Sequence, residues 1–592
     1  MTAALTARVI AADVAAGKTS ALAVIEATLE RIEAYDRVQP QTWISRATRE
    51  TVLAQAAEVD RRVAAGGHLP LAGVPIAVKD NLDVSGLDTT AGCPAYAYRP
   101  GESAEVVARL QAAGAVVMGK TNLDQFATGL VGARSPYGAP GCVFNRAYVS
   151  GGSSSGSAVA VAAGLVPVAL GTDTAGSGRV PAAFNGLVGL KPTKGRWSSK
   201  GLVPACRSLD CVTVFAADAE DAALVDSVAA GFDSADPYSR KSPAPAEGYG
   251  AAFRFGVPKS EQLQFLGDSE SAALFQAASR RLEAAGGVPV EIDIAPLLDA
   301  AKLLYSGPWV AERTAAVEDL LRTNPGAIHP VVRAIVQGGL AVSGVEAFRG
   351  LYALQDFIRT AEAVWDQADV LLLPTTPTIY RLDAVLAEPV ALNSNLGLYT
   401  NFVNLLDMSA IAIPAGWRAN HTGFGVTLIG PAFADTALLA LAQRYHAAGP
   451  EFETPPLDVD AAPAETVLLA VVGAHLNGMP LHWQLTSRDA RLVAVTTTAP
   501  TYRLYAIANS TPPKPALVQV ADGGAAIQLE VYEMAMDRFG GFVTEVPGPL
   551  AIGSVTLASG EIVKGFVAEP RAMTGAQDIT HLGGWRAYIA SL

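Results

Sequence analysis

Cysteine is scarce here: four in 592 residues, at 93, 142, 206 and 211, and no two are spaced C-x2-C. That excludes a disulfide scaffold and a cysteine-rich zinc site, and it fits a reducing, cytoplasmic setting. Charge is also thin. Only 17% of residues are charged, against roughly 25% in a typical soluble chain, while 50% are hydrophobic. Such a chain buries a large core and is not disordered. The 43 basic side chains are outnumbered by 56 acidic ones, for a net charge of −13. An acidic surface repels nucleic acid and anionic membranes. Long apolar runs are missing as well. The longest, Ala158 to Leu170, is interrupted by Gly164 and Pro167, too short to span a bilayer. The N-terminus has no basic region leading into an apolar one, so no signal peptide is expected. The serine- and glycine-rich stretch 150–181 contains no G-x-x-x-x-G-K-[ST], so a phosphate loop has little support there.

Helical spacing of Ile25, Leu29 and Ile32, and of Val52, Ala56 and Val59, predicts helices within residues 1–70. The apolar run LAGVPIAVKD (71–80) then predicts a buried strand ending at Lys79. Two units of similar design follow. Residues 104–113 read as a helix stopped by Gly114 before a strand at 115–118, and 157–163 as a helix stopped by Gly164 before a strand at 166–170. Helix, glycine, strand and glycine-rich turn in alternation predict an α/β fold with a central sheet covered by helices. Four prolines and five carboxylates between 446 and 465 break the pattern. Domains over 1–450 and 466–592 joined by a linker at 451–465 are expected. In the second, strands are expected at 466–472, 492–497, 525–532, 551–557 and 562–567, making it β-rich.

The chemistry concentrates in SGGSSSGSAVAVAAGLVPVALGTDTAGSGRVP (150–181). Two serine- and glycine-rich loops flank a helix and a strand. The second loop can present Ser177 at the sheet edge, with the amides of Thr174, Ala175, Gly176 and Ser177 gathered around one oxyanion. Taken alone, GGSSSGS reads equally as a linker or a phosphate cradle. The second loop at fixed distance and the strand-terminal Lys79 favour catalysis. Seven histidines leave a Ser-His-Asp triad as the competing reading, yet none accompanies either loop: they lie at 68, 329, 421, 446, 475, 482 and 581, with His446 in or beside the linker. Lysine is a weak base at its ordinary pKa, and burial beside Ile76 and Val78 can lower it to about 7–8.

In order and spacing, VPIAVKDN (74–81), GGSSSGSA (151–158) and GTDTAGSGRVP (171–181) resemble the amidase signature family over roughly residues 1–450. The resemblance implies the fold of that family, a mixed central sheet between helices. It also implies roles: Ser177 as nucleophile, Ser153 as a bridging serine after a cis peptide, Lys79 as base, Thr174–Ser177 as oxyanion hole, and Asp173 and Arg179 as supports. One position departs: Ala175 stands where the family often has glycine, tolerable if its φ is negative. DQFATGLVGARSPYGAP (124–140), PACRSLDCVTVFA (204–216) and VVGAHLNGMPLHWQL (471–485) resemble the allophanate hydrolase branch. That branch implies a small urea-derived, carboxylate-bearing substrate held by Tyr305, Arg313 and the backbone of Gly129, with no metal or other cofactor. Tyr305 is expected just ahead of a helix that opens at Pro308 and carries Arg313 on its second turn. From composition alone, Arg313 reads as a surface ion pair with Glu312 or Glu318. GAHLNGMPL (473–481) and AIQLEVYEM (526–534) resemble a γ-glutamyl cyclotransferase-like fold. That domain is expected either to decarboxylate the released product, with His475 as candidate, or to serve assembly. The expected partner is the small-molecule substrate, in a homodimer or larger homo-oligomer. A broad aliphatic amidase, an amidotransferase subunit and a non-catalytic scaffold are the alternatives.

Overall fold

A computed structural model describes residues 6–243, 248–459, 466–488, 490–508 and 510–592. The chain divides into two compact units, Met1–Val459 and Asp460–Leu592. The first is built on an eleven-stranded sheet. From one edge its strands are Trp43–Arg46, Val116–Thr121, Pro75–Lys79, Val168–Asp173, Cys211–Ala216 and Val188–Lys191. Then come Ser409–Trp417, Gly423–Gly430, Val370–Pro374, Phe253–Pro258 and Gly287–Ile292. Pro75–Lys79 runs parallel to both neighbours, whereas Val168–Asp173 and Cys211–Ala216 are antiparallel, so the sheet is mixed. Every residue of Pro75–Lys79, Val116–Thr121 and Val168–Asp173 is buried. Strands covered on both faces need continuous apolar runs rather than alternation.

The sequence pattern located three of these strands, Pro75–Lys79, Val116–Thr121 and Val168–Asp173, to within a few residues, and did not anticipate the other eight. Helices occupy Glu105–Ala112 and Ser155–Ala162. The strand expected to end at Leu170 continues through Gly171 and Thr172 to Asp173, because its ladder with Cys211–Ala216 holds until Asp173 faces Cys211. Pairing, not hydrophobicity, sets that end, and it brings Thr172 into the sheet. N-terminal helices Ala7–Ala15, Ala21–Tyr35 and Arg49–Ala64 are each opened by a hydroxyl cap, from Thr6, Ser20 and Thr48. They bury Ile25, Ile32, Val52, Ala56 and Val59. Among the described residues no single helix is long and apolar enough to cross a membrane.

The second unit has its own core, in which Leu469, Val471, Leu504, Val531, Phe566 and Trp585 pack together. A five-stranded sheet runs Arg491–Thr497, Gln528–Ala535, Thr466–Val471, Ile562–Ala568, Leu550–Thr556. A smaller sheet joins Pro515–Gln519, Tyr502–Ala506 and Gln577–Asp578. The sequence pattern missed these three strands: two lie among the prolines at 500, 512, 513 and 515, and the third is only two residues long. The linker expected over 451–465 falls partly outside the described residues. Its described part is held against the first unit. Asp458 accepts from the Arg146 amide at 2.8 Å, its own amide donates to the Val143 carbonyl at 2.8 Å, and the Arg281 guanidinium lies 4.5 Å from the Phe452 ring centre.

Candidate active site

Lys79 ends a central strand and is completely buried. Its Nζ donates to Ser153 Oγ at 2.8 Å and to Thr172 Oγ1 at 2.8 Å. Among the described residues no carboxylate lies within ion-pair distance of it. Burial brings its pKa down to about 7, against the opposing pull of Asp124, Asp210 and Asp173 from further away. A lysine in this state is neutral just above neutrality and can accept a proton.

Ser153 follows a cis peptide from Gly152 and precedes the helix Ser155–Ala162. A side chain at position 152 would meet Asp124 Oδ2 at 2.2 Å, so the turn admits only glycine. The second loop is held by Asp173, whose carboxylate accepts from the Gly176 amide at 2.9 Å, the Gly178 amide at 3.0 Å and Arg179 Nε at 2.9 Å. Burial alone would raise this carboxyl. The Arg179 and Lys191 charges and the Gly178 amide outweigh it and hold Asp173 below the usual carboxylate range. Arg179 continues to the Thr400 carbonyl at 3.2 Å and to Asn404 Oδ1 at 3.3 Å. Thr400 Oγ1 donates to the Ala175 carbonyl at 2.6 Å, and Asn404 Nδ2 to the Asp173 carbonyl at 2.8 Å. Behind the loop, Asp210 accepts from the Thr174 hydroxyl and from the Ala205 amide at 2.8 Å. Burial pushes its pKa up to about 6.

Ser177, 2% exposed, donates to the Gly129 carbonyl at 3.5 Å, and no hydrogen bond joins it to Ser153. Of the four amides expected to form the oxyanion hole, that of Gly176 is turned to Asp173. Those of Thr174, Ala175 and Ser177 make no hydrogen bond within the described residues. Three of the four amides are thus free within the described residues, while that of Gly176 is bound inside the loop. Ala175 has no positive φ, whereas Gly176 sits at φ +128°.

Arg313 is 2% exposed. Neither expected glutamate pairs with it. Glu312 instead accepts from the amide and hydroxyl of Ser208, both at 2.7 Å. Arg313 Nη1 donates to Thr128 Oγ1 at 3.2 Å, its Nε has no partner, and its guanidinium lies 5.4 Å from the Tyr305 ring centre. Tyr305 lies just ahead of the next helix, as expected, and is itself in the last turn of Ala295–Ser306. Pro308 caps Trp309–Thr323 rather than opening it. Tyr305 lines a cleft of about 380 Å³ together with Arg134 and Asn393.

No histidine hydrogen-bonds to Ser153 or Ser177. His446 lies on the helix Asp435–Ala447, not in the linker, and burial lowers its pKa to about 4. In the second unit, His475 lines an apolar pocket of about 160 Å³ with Gln484, Lys514, Phe542, Glu545 and Phe566. Its Nε2 is 2.7 Å from Gln484 Oε1 and its ring stacks on Phe566 at 4.8 Å, while burial lowers its pKa. Among the described residues no three His, Cys, Asp or Glu side chains group as a metal site needs. Sequence reasoning missed Thr172, Asp210, Thr400 and Asn404. Thr172 and Asp210 lie inside quoted stretches that give no signal of their contacts, and the last two lie more than 200 residues from the loop they brace.

The amidase family model matches residues 23–439, and the chain belongs to that family. A second model, described as the allophanate hydrolase C-terminal domain, matches residues 467–590. The chain is 47% identical to the urea amidolyase of Lachancea kluyveri, aligning 92% of this chain with 31% of that protein. With the urea amidolyase of Saccharomyces cerevisiae identity is 44% over 93% of the chain and 31% of the relative. The chain thus spans about a third of the length of these relatives. A solved structure of Kluyveromyces lactis allophanate hydrolase is 44% identical, with a TM-score of 0.71 and 97% of both chains covered.

The second loop yields a test. A methyl group on Gly176 would lie 2.5 Å from Thr400 Oγ1, at a φ that side chains resist. In urea unfolding, Gly176→Ala is expected to cost the first unit at least about 1–3 kcal/mol, and Ala175→Gly clearly less. Equal costs would contradict this description of the loop.

Proposed function

We propose that the first unit hydrolyses the terminal amide of allophanate through a relay of Ser177, Ser153 and Lys79. Serine needs a base to become a nucleophile, and Lys79 supports that role by being buried, unpaired and bonded to Ser153. Ser177 Oγ attacks the amide carbonyl while its proton passes through Ser153 to Lys79. The transient oxyanion is stabilised by the amides of Thr174, Ala175 and Ser177. Collapse breaks the C–N bond, and the proton returns by the same route to the departing nitrogen, releasing ammonia. Water then attacks the acyl-enzyme and frees N-carboxycarbamate. Asp173 and Arg179 act only through the loop they brace. For this relay the Ser177 hydroxyl turns from Gly129 toward Ser153 when substrate arrives.

The observation that carries the choice of substrate is Arg313, a buried guanidinium with no carboxylate partner and a free Nε. A buried charge of this kind calls for an anionic ligand. Arg313 with Tyr305 would hold the substrate carboxylate, and the Gly129 backbone would flank the amide. This supports allophanate over a neutral aliphatic amide. Assembly as a homodimer or larger homo-oligomer in the cytoplasm belongs to the same proposal. The test compares allophanate with biuret, its neutral analogue of the same shape. Arg313→Ala is expected to lower kcat/KM for allophanate by about 30-fold or more, as for loss of a charge pair worth about 2–5 kcal/mol, and far less for biuret. Equal losses would mean that Arg313 serves the fold alone.

A second reading concerns the second unit, whose His475 pocket supports decarboxylation of N-carboxycarbamate. The Lys514 ammonium lines that pocket without a side-chain hydrogen bond or ion pair to the described residues and would hold one carboxylate. His475 would exchange a proton at the central nitrogen as the C–N bond to the departing carbon dioxide breaks. The carbamate left behind takes up a proton and breaks down to ammonia and carbon dioxide. A chain ending at Val459 is expected to release the first ammonia yet lag in carbon dioxide. Adding residues 466–592 should abolish the lag, and His475→Ala should prevent that. Matched ammonia and carbon dioxide kinetics in the shortened chain would remove the reading and leave the unit an assembly module.

A further inference from the structure

Residues 128, 129 and 130 each touch a different part of the site. Thr128 Oγ1 accepts from Arg313 Nη1 at 3.2 Å, the Gly129 carbonyl accepts from Ser177 Oγ at 3.5 Å, and the Leu130 carbonyl accepts from the amide of Gly152, next to Ser153, at 2.8 Å. Three consecutive residues therefore span from the guanidinium to both serines.

This segment has little freedom to move. Phe126 and Ala127 both have φ of 51°, a left-handed conformation that costs non-glycine residues energy and persists only where surroundings enforce it. The enforcement is visible. The Phe126 amide donates to the Ala91 carbonyl at 2.8 Å, the Leu130 amide to Asn393 Oδ1 at 2.8 Å, and Arg134 Nη1 to the Thr128 carbonyl at 3.0 Å. A side chain at Gly129 would meet Asp124 Oδ2 at 2.4 Å. The Thr128 hydroxyl, 1% exposed, is itself oriented, since it donates to the Phe126 carbonyl at 3.1 Å. Its remaining lone pairs can only accept, and they meet a guanidinium N–H.

We infer that Thr128 is a positioning residue for substrate choice: its hydroxyl aims Arg313 so that a carboxylate bound there sets the amide carbonyl at Ser177. The inference rests on the proposed role of Arg313. Thr128 touches no reacting atom in this account and acts only through the arginine. A valine has the same shape and branching but no acceptor, so the backbone bracket would stay while Arg313 lost its anchor.

The experiment measures kcat and KM for allophanate in the full chain carrying Thr128→Val, Thr128→Ser, Arg313→Ala, and Thr128→Val with Arg313→Ala. Thr128→Val is expected to lower kcat/KM about tenfold, the scale of a hydrogen bond to a charged group, with the change mainly in KM. Thr128→Ser, which keeps the acceptor, should recover most of that loss. In the Arg313→Ala background the valine should add almost nothing, because residues acting as one unit are non-additive. A valine variant that behaves like the parent overturns the inference, and so does a full additional loss in the Arg313→Ala background, which would mark general damage. In both cases a large effect of Arg313→Ala alone leaves the carboxylate reading standing. An Arg313→Ala variant with undiminished turnover of allophanate overturns both.

Discussion

Removing an ammonium from water costs several kcal/mol unless a counter-charge or proton loss offsets it. At Lys79 no carboxylate among the described residues is close enough to pair, so the fold favours the neutral amine. The rest of the first unit is arranged around that condition. The mixed sheet keeps Lys79 dry by covering its strand on both sides with fully buried neighbours. Among the described residues the only groups bonded to its nitrogen are hydroxyls, from Ser153 and Thr172. A carboxylate in place of either would restore the charge and leave a charged lysine that could not take a proton.

Acidic groups are not absent, but they are spent elsewhere. Asp173 is used by two amides and Arg179, Asp210 by Thr174 and two amides, and Asp124 by the amides of Gly132 and Arg134. Each fixes a loop while staying beyond ion-pair distance of Lys79. The same economy applies to Arg313, which is held by a hydroxyl and a ring rather than by a glutamate. Among the described residues Lys79 and Arg313 thus both lack a carboxylate partner, and residues 128 and 129 touch Arg313 and Ser177 in turn. That combination supports an amide substrate with an anionic end.

Lys79, Ser153 and Ser177 were legible because each belongs to a local pattern: a strand end, a glycine turn, a strand-to-loop junction. The α/β layering was legible for the same reason, since the buried strands are uninterrupted apolar runs. Thr400 and Asn404 were not legible. They act through single hydrogen bonds across more than 200 residues, and no spacing announces such bonds. Phe126 and Ala127 gave no signal either, because a left-handed backbone is read from glycine and neither residue is one. The loop 174–178 was legible as a loop, but which of its amides are left free depends on the Asp173 side chain. Tyr305 was placed correctly ahead of the helix that carries Arg313, but the helix it belongs to was not read, since the break between the two is only Gly307 and Pro308.

The central claim is that Lys79 is neutral near physiological pH because it is buried without a partner. Nuclear magnetic resonance of protein labelled at the lysine side chains tests it directly, with the Lys79 signal assigned by its loss in Lys79→Met. The account predicts that this one lysine titrates at about pH 7, while surface lysines titrate near 10.4. A Lys79 signal that stays protonated up to pH 9 would contradict it.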